Sequence, residues 1–142
     1  MYLCPTVRDT DTGHGPNVYS ASRPTAGMDG IVFFRTEQER RVVAFYRERL
    51  DAETWLDQDG CTILRVGGFK FGFCGRETTD DCGIVTVYVA DRNRVDTLYD
   101  RLDDCARDPP EENDQYDIYQ FFAEDPDGRT VEVQTFLHPL PD

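Results

Sequence analysis

Two stretches of the chain carry apolar residues at helical spacing, and short apolar strands surround each of them. The first stripe is Val42, Val43, Phe45, Tyr46 and Leu50, which predicts a helix over about Glu37–Leu50. Thr36, followed three residues later by Glu39, supplies a capping box for it. The second stripe is Val95, Leu98, Tyr99 and Leu102, which predicts a helix over about Arg92–Cys105 with Asp91 as its N-cap. Cys61–Val66 and Phe69–Cys74 flank Gly67-Gly68, a two-residue hairpin signal, and residues 53–58 form the strand before them. Tyr116–Glu124 and Arg129–Leu137 flank a second turn signal, Asp125-Pro126-Asp127-Gly128.

The two halves repeat at an offset of 53 residues: Gly30-Ile31-Val32 matches Gly83-Ile84-Val85, Arg41-Val42 matches Arg94-Val95, and Tyr46 matches Tyr99. Each half reads β-α-β-β-β, so the expected organisation is one α+β domain over 28–142. Its modules run over about 29–75 and 82–138 and share a core rather than stacking as a solenoid. Residues 1–27 are rich in Thr, Ser, Pro and Gly without periodicity. They read as a floppy or loosely docked extension, in which His14 carries little weight.

Composition narrows the setting. The chain has 142 residues, 39% hydrophobic and 12% aromatic, which suits one globular domain and not a disordered tail. Apolar runs such as Ile31–Phe34 fall far short of the ~20 residues of a membrane helix. Residues 1–27 also lack the apolar segment of a secretory signal. A cytoplasmic protein with no membrane partner is expected. Acidic residues outnumber basic ones 28 to 15, and the single lysine is Lys70. Such an acidic, Lys-poor chain looks like a halophile's protein and argues against a nucleic-acid partner. The five cysteines (4, 61, 74, 82 and 105) include no C-x-x-C pair, so zinc-ribbon and thioredoxin-like readings fail and reduced thiols are expected.

Two segments carry a family resemblance. Ala44-Phe45-Tyr46 through Leu50 resembles the first helix of the vicinal-oxygen-chelate superfamily, which holds glyoxalase I, extradiol dioxygenases and bleomycin-resistance proteins. Phe121-Phe122-Ala123-Glu124-Asp125-Pro126-Asp127-Gly128-Arg129-Thr130-Val131-Glu132-Val133 resembles its closing hairpin, Asp-Pro-Asp-Gly followed by a strand with a central Glu. The resemblance covers about Asp29–Pro139. It implies two modules forming a half-barrel-like curved sheet around a ligand cleft, and a homodimer that completes the cleft across two chains. It also implies four metal-ligand positions, which fall at Ile31, Ile84, Gly72 or Cys74, and Glu132. Two hydrocarbons and a Gly or Cys cannot rebuild that site, so no metal or other cofactor is expected.

Strand alternation sorts the side chains. Thr62, Leu64, Val66, Phe69, Phe71 and Phe73 are expected to pack on the helix. Cys61, Ile63, Arg65, Lys70, Gly72 and Cys74 then face the cleft, with Arg65 opposite Lys70 and Cys61 opposite Cys74. Glu132 is grouped with Tyr119, Phe121, Thr130 and Gln134, and the opening strands add Phe33, Arg35, Thr86 and Tyr88. The candidate ligand-binding set is Arg35, Arg65, Lys70, Phe33, Tyr88, Tyr119, Phe121 and Gln134. Glu132 is the candidate base. Cys74, with Arg65 and Lys70 on its face, is a candidate reactive thiol, although Cys61, Cys74 and Cys105 also read as small buried hydrophobes. A Cys61–Cys74 disulfide is geometrically possible, but a cytoplasmic compartment argues against it. The set suits a small-molecule-binding protein without the usual metal, with an anionic or carbonyl-bearing ligand held by Arg and Lys. The alternative is a lyase, isomerase or dioxygenase that uses Glu132 as base or metal ligand.

Overall fold

The two apolar stripes become α1 (Glu39–Arg49) and α2 (Arg92–Leu102), each of 11 residues. The computed structural model describes residues 27–141, so the extension expected over 1–27, with His14, lies outside the described residues apart from Gly27. The strands are β1 (Val32–Thr36), β2 (Glu53–Gln58), β3 (Cys61–Val66), β4 (Phe69–Gly75), β5 (Ile84–Tyr88), β6 (Glu111–Asn113), β7 (Ile118–Glu124) and β8 (Thr130–Phe136). They form two four-stranded sheets, ordered β1-β4-β3-β2 and β5-β8-β7-β6. In each, the opening strand runs parallel to the closing one and the remaining pairs are antiparallel. This is the repeated β-α-β-β-β α+β architecture. β6 is a short polar edge strand, Glu-Glu-Asn, with no apolar alternation to announce it.

One face of each sheet packs on the helices. Leu64, Phe71 and Phe73 join Val42, Phe45 and Tyr46, and a continuous cluster runs on through Val87, Val95, Leu98, Phe121, Val131 and Val133. The helix starts differ in one respect from expectation. Asp91 caps α2 by accepting from the Arg94 amide at 2.9 Å. The capping box of α1 does not form: Gln38 is the N-cap, and the Glu39 carboxylate instead accepts from the Thr62 hydroxyl at 2.9 Å. Thr36 accepts from the Gln38 amide and donates to Asp127 of the second module, so a tertiary contact replaces the local one.

The β7–β8 turn ties the modules together. The Asp125 carboxylate accepts from the Asp127 and Arg129 amides at 2.9 and 3.1 Å and from the Tyr46 hydroxyl at 2.7 Å. The Arg129 guanidinium donates to it at 2.6 Å and also reaches the Asp80 carbonyl. Arg129 is fully buried, 4.5 Å from the centre of the Phe34 ring and 5.2 Å from that of Phe73. Burial and the neighbouring Asp125 carboxylate push the Tyr46 hydroxyl far above its ordinary range, so it stays a donor at any working pH. Burial alone would make Arg129 less basic, but Asp125 more than offsets it and the guanidinium stays charged.

Candidate functional site

The faces turned away from the helices carry most of the chemistry. On the first sheet the register sets Arg65 opposite Lys70 and Cys61 opposite Cys74, as the two-residue Gly67-Gly68 turn predicts. Gly72 lies beside Phe33 on the neighbouring strand. A Cβ added at Gly72 would sit 2.7 Å from the Phe33 ring, so the glycine is what lets that ring lie flat on the sheet. Phe33 remains 50% exposed. Arg65 is paired with Glu53 at 3.0 Å. The Lys70 ammonium lies 5.1 Å from the centre of the Trp55 ring. Strand alternation in the sequence does not single out Trp55. The β2–β3 register slips between Thr54 and Leu56, and this bulge inserts Trp55 as an extra residue in the alternation.

On the second sheet Glu132 pairs with Thr86 of β5 and with Phe122 of β7. The Thr86 hydroxyl donates to the Glu132 carboxylate at 2.8 Å, which fixes one of its oxygens. Ile84 and Tyr88 flank Thr86, 58% and 65% exposed, and Gln134 continues the row beside Tyr88. Tyr119 and Phe121 are not on this face. Phe121 is buried in the core with its ring against Tyr99, and Tyr119 donates to Asp96 of α2 at 2.6 Å. The reason is the turn. Gly128 has φ +79°, and the Asp125 amide bonds the Arg129 carbonyl. The loop is therefore Pro126-Asp127-Gly128, and Glu124 faces Thr130. Counting Asp125–Gly128 as a four-residue loop shifts the pairing by one, and a one-residue slip exchanges the faces. Gln120 and Phe122 are the residues that share the Glu132 face.

Cys74 is bonded to Cys61, so the expected reduced pair is a cross-strand disulfide and offers no thiolate. Among the described residues Cys105 is the free cysteine, and burial makes its thiol less acidic. Arg35 is held by Asp80 through two guanidinium nitrogens, at 2.7 to 3.2 Å. That hydrogen-bonded pair keeps the Asp80 carboxyl below the usual carboxylate range.

The described residues do not fit a divalent metal in the superfamily manner. The register makes Gly72 the counterpart of Glu132, and any ligating side chain at Gly72 would displace Phe33. Ile31 and Ile84 have no donor, the Cys74 sulfur is taken, and no group of three metal-ligating side chains occurs among the described residues.

Concavities among the described residues extend beyond the open faces. A crevice of about 430 Å³ between the modules has Leu50, Val87 and Leu98 in its wall and Arg65, Glu53, Tyr88 and Arg94 along it. It brings Arg65 of the first module and Tyr88 of the second to one place. A larger groove, about 720 Å³, runs along the helical side past Arg49, Cys105 and Arg107. Its cations are already engaged, Arg49 with Asp104 and Arg107 with Glu124.

The architecture has many solved counterparts. A glyoxalase/bleomycin resistance protein/dioxygenase from Nocardioides superposes with a TM-score of 0.63 at 17% identity, over 85% of this chain and 89% of that one. The fold is that of the glyoxalase/bleomycin resistance/dioxygenase proteins. A lactoylglutathione lyase from Agrobacterium tumefaciens gives 0.63 at 18% identity, over 80% and 96% of the two chains. A glyoxalase/bleomycin resistance/dioxygenase family enzyme from Burkholderia phytofirmans gives 0.66 at 18%, over 75% and 97%. No family model and no curated protein matches the sequence. The glyoxalase-type fold hosts many activities, so function rests on the side chains above. No described helix is long and apolar enough to cross a membrane.

Proposed function

We propose that this protein binds a small organic molecule on the open faces of its two sheets, in a cleft completed by a second copy of the chain, without the metal centre of its enzymatic counterparts. The observation behind this reading is the exposure of Phe33, Trp55, Ile84 and Tyr88 on faces that also carry Arg65, Lys70 and Glu132. A monomer seldom leaves so much aromatic surface uncovered, and cations among aromatics suit an anionic or carbonyl-bearing ligand. A cytoplasmic setting fits only if the Cys61–Cys74 bridge survives cellular reductants. A screen of small organic acids and carbonyl compounds by melting temperature tests the reading. Binders should lose roughly 1.5–3 kcal/mol of affinity on Arg65→Glu, the range for hydrogen bonds to charged groups. Compounds that stabilise Arg65→Glu and Phe33→Asp as well as the parent chain would contradict it.

One observation favours an enzyme. Thr86 orients Glu132 on the open face, as a general base requires. In that case Glu132→Gln would abolish turnover of a ligand found in the screen and leave its binding intact.

A further inference from the structure

Lys70 is the chain's only lysine and Trp55 its only tryptophan, and the two are in contact on the first sheet. The bulge at Thr54/Leu56 brings Trp55 there, where the indole is 44% exposed. Among the described residues Lys70 makes no ion pair, although this chain has 28 carboxylate side chains. The neighbouring carboxylate, Glu53, is engaged by Arg65. An ammonium resting on an indole retains donors for an incoming anion, and Arg65 directly across the hairpin holds Glu53 so that it does not compete for the ammonium. Leu56 and Phe33, both exposed, supply apolar surface on the same sheet, with the buried Ile63 beneath Leu56 as its strand partner. A ligand that uses all of this has an anionic group and a flat apolar body.

We infer that the first sheet's open face recognises an aryl carboxylate, with its carboxylate on Lys70 and its ring along Trp55. The inference rests on the small-molecule reading above and specifies the ligand class for one of the two faces. Trp55 is its own reporter, because no other tryptophan contributes to the emission.

The experiment is a fluorescence titration of the full chain with phenylacetate, 2-phenylethylamine and benzyl alcohol, each checked by calorimetry. Phenylacetate should change the Trp55 emission saturably. The amine and the alcohol should bind at least about tenfold more weakly, as should phenylacetate on Lys70→Met, the loss expected when a charge-assisted contact is removed. The melting temperature of Lys70→Met should match the parent, since an exposed cation–π contact contributes little. Equal binding of amine and carboxylate, or unchanged phenylacetate binding by Lys70→Met, would overturn the aryl-carboxylate assignment and leave the small-molecule reading standing. If none of the three binds by calorimetry, this assignment falls, and the wider reading falls with it if the open-face screen is also empty.

Discussion

Arg129→Met should lower the unfolding free energy by about 3–5 kcal/mol, the cost of removing one partner from a buried ion pair. Arg129 and Asp125 both have fully buried side chains, so Asp125 would be left charged with no buried cation beside it. Asp125 would keep the Tyr46 hydroxyl and two amides, which keeps the loss toward the lower end of that range. The substitution also removes the guanidinium from beside the Phe34 and Phe73 rings and frees the Asp80 carbonyl that fastens the inter-module segment. Tyr46→Phe deletes one hydrogen bond to the same carboxylate and should lose less, roughly 1.5–3 kcal/mol. Arg65→Met, which breaks an exposed pair, should lose under about 1 kcal/mol. Urea denaturation of the three variants measures the series. A loss for Arg129→Met no larger than that for Arg65→Met would show that the buried network does not hold the modules together.

Removing the Cys61–Cys74 bridge should lower stability by about 3 kcal/mol. The two cysteines are 13 residues apart, and chain-entropy arguments give that figure for a loop of this size, acting through the unfolded state. Cys61→Ser/Cys74→Ser should therefore melt lower while keeping the fold, because β3 and β4 stay joined by their turn and by Leu64, Phe71 and Phe73 against α1. Melting the parent chain against the double variant without a dithiol isolates this bridge, because Cys82 is disulfide-bonded as well. An unchanged midpoint for the double variant, or titratable thiols at Cys61 and Cys74 in the purified protein, would contradict the oxidised state. A bridge that persists in protein taken directly from its source would also contradict the cytoplasmic expectation.

The elements legible in the sequence are those whose signals are local. The stripes of α1 and α2 survive because 3.6-residue periodicity does not depend on partners, and the first hairpin is placed correctly because a two-residue Gly-Gly turn leaves one register. The second hairpin is misfaced because Asp125 pairs with Arg129, which leaves a three-residue loop where the turn signal reads as four. That one-residue difference moves Tyr119 and Phe121 from the open face to the core side. Trp55 is missed for the same kind of reason, a bulge that the alternation cannot show. The burial of Arg129 and Asp125 is not legible at the turn signal, because it comes from Tyr46, Phe34 and Phe73, all distant in sequence. The disulfide shows the reverse: the cross-strand pairing of Cys61 and Cys74 is legible in the sequence, and their redox state is not.

In the proposed dimer the open faces are functional surfaces facing one another across two chains. Sedimentation equilibrium of the parent chain and of Phe33→Asp/Ile84→Asp tests this arrangement. Both substitutions lie on exposed positions of the open faces, so neither should disturb the core. The account predicts twice the chain mass for the parent, and the single-chain mass with an unchanged melting temperature for the variant. A parent chain that sediments as a monomer, or a variant that remains a dimer, would contradict it.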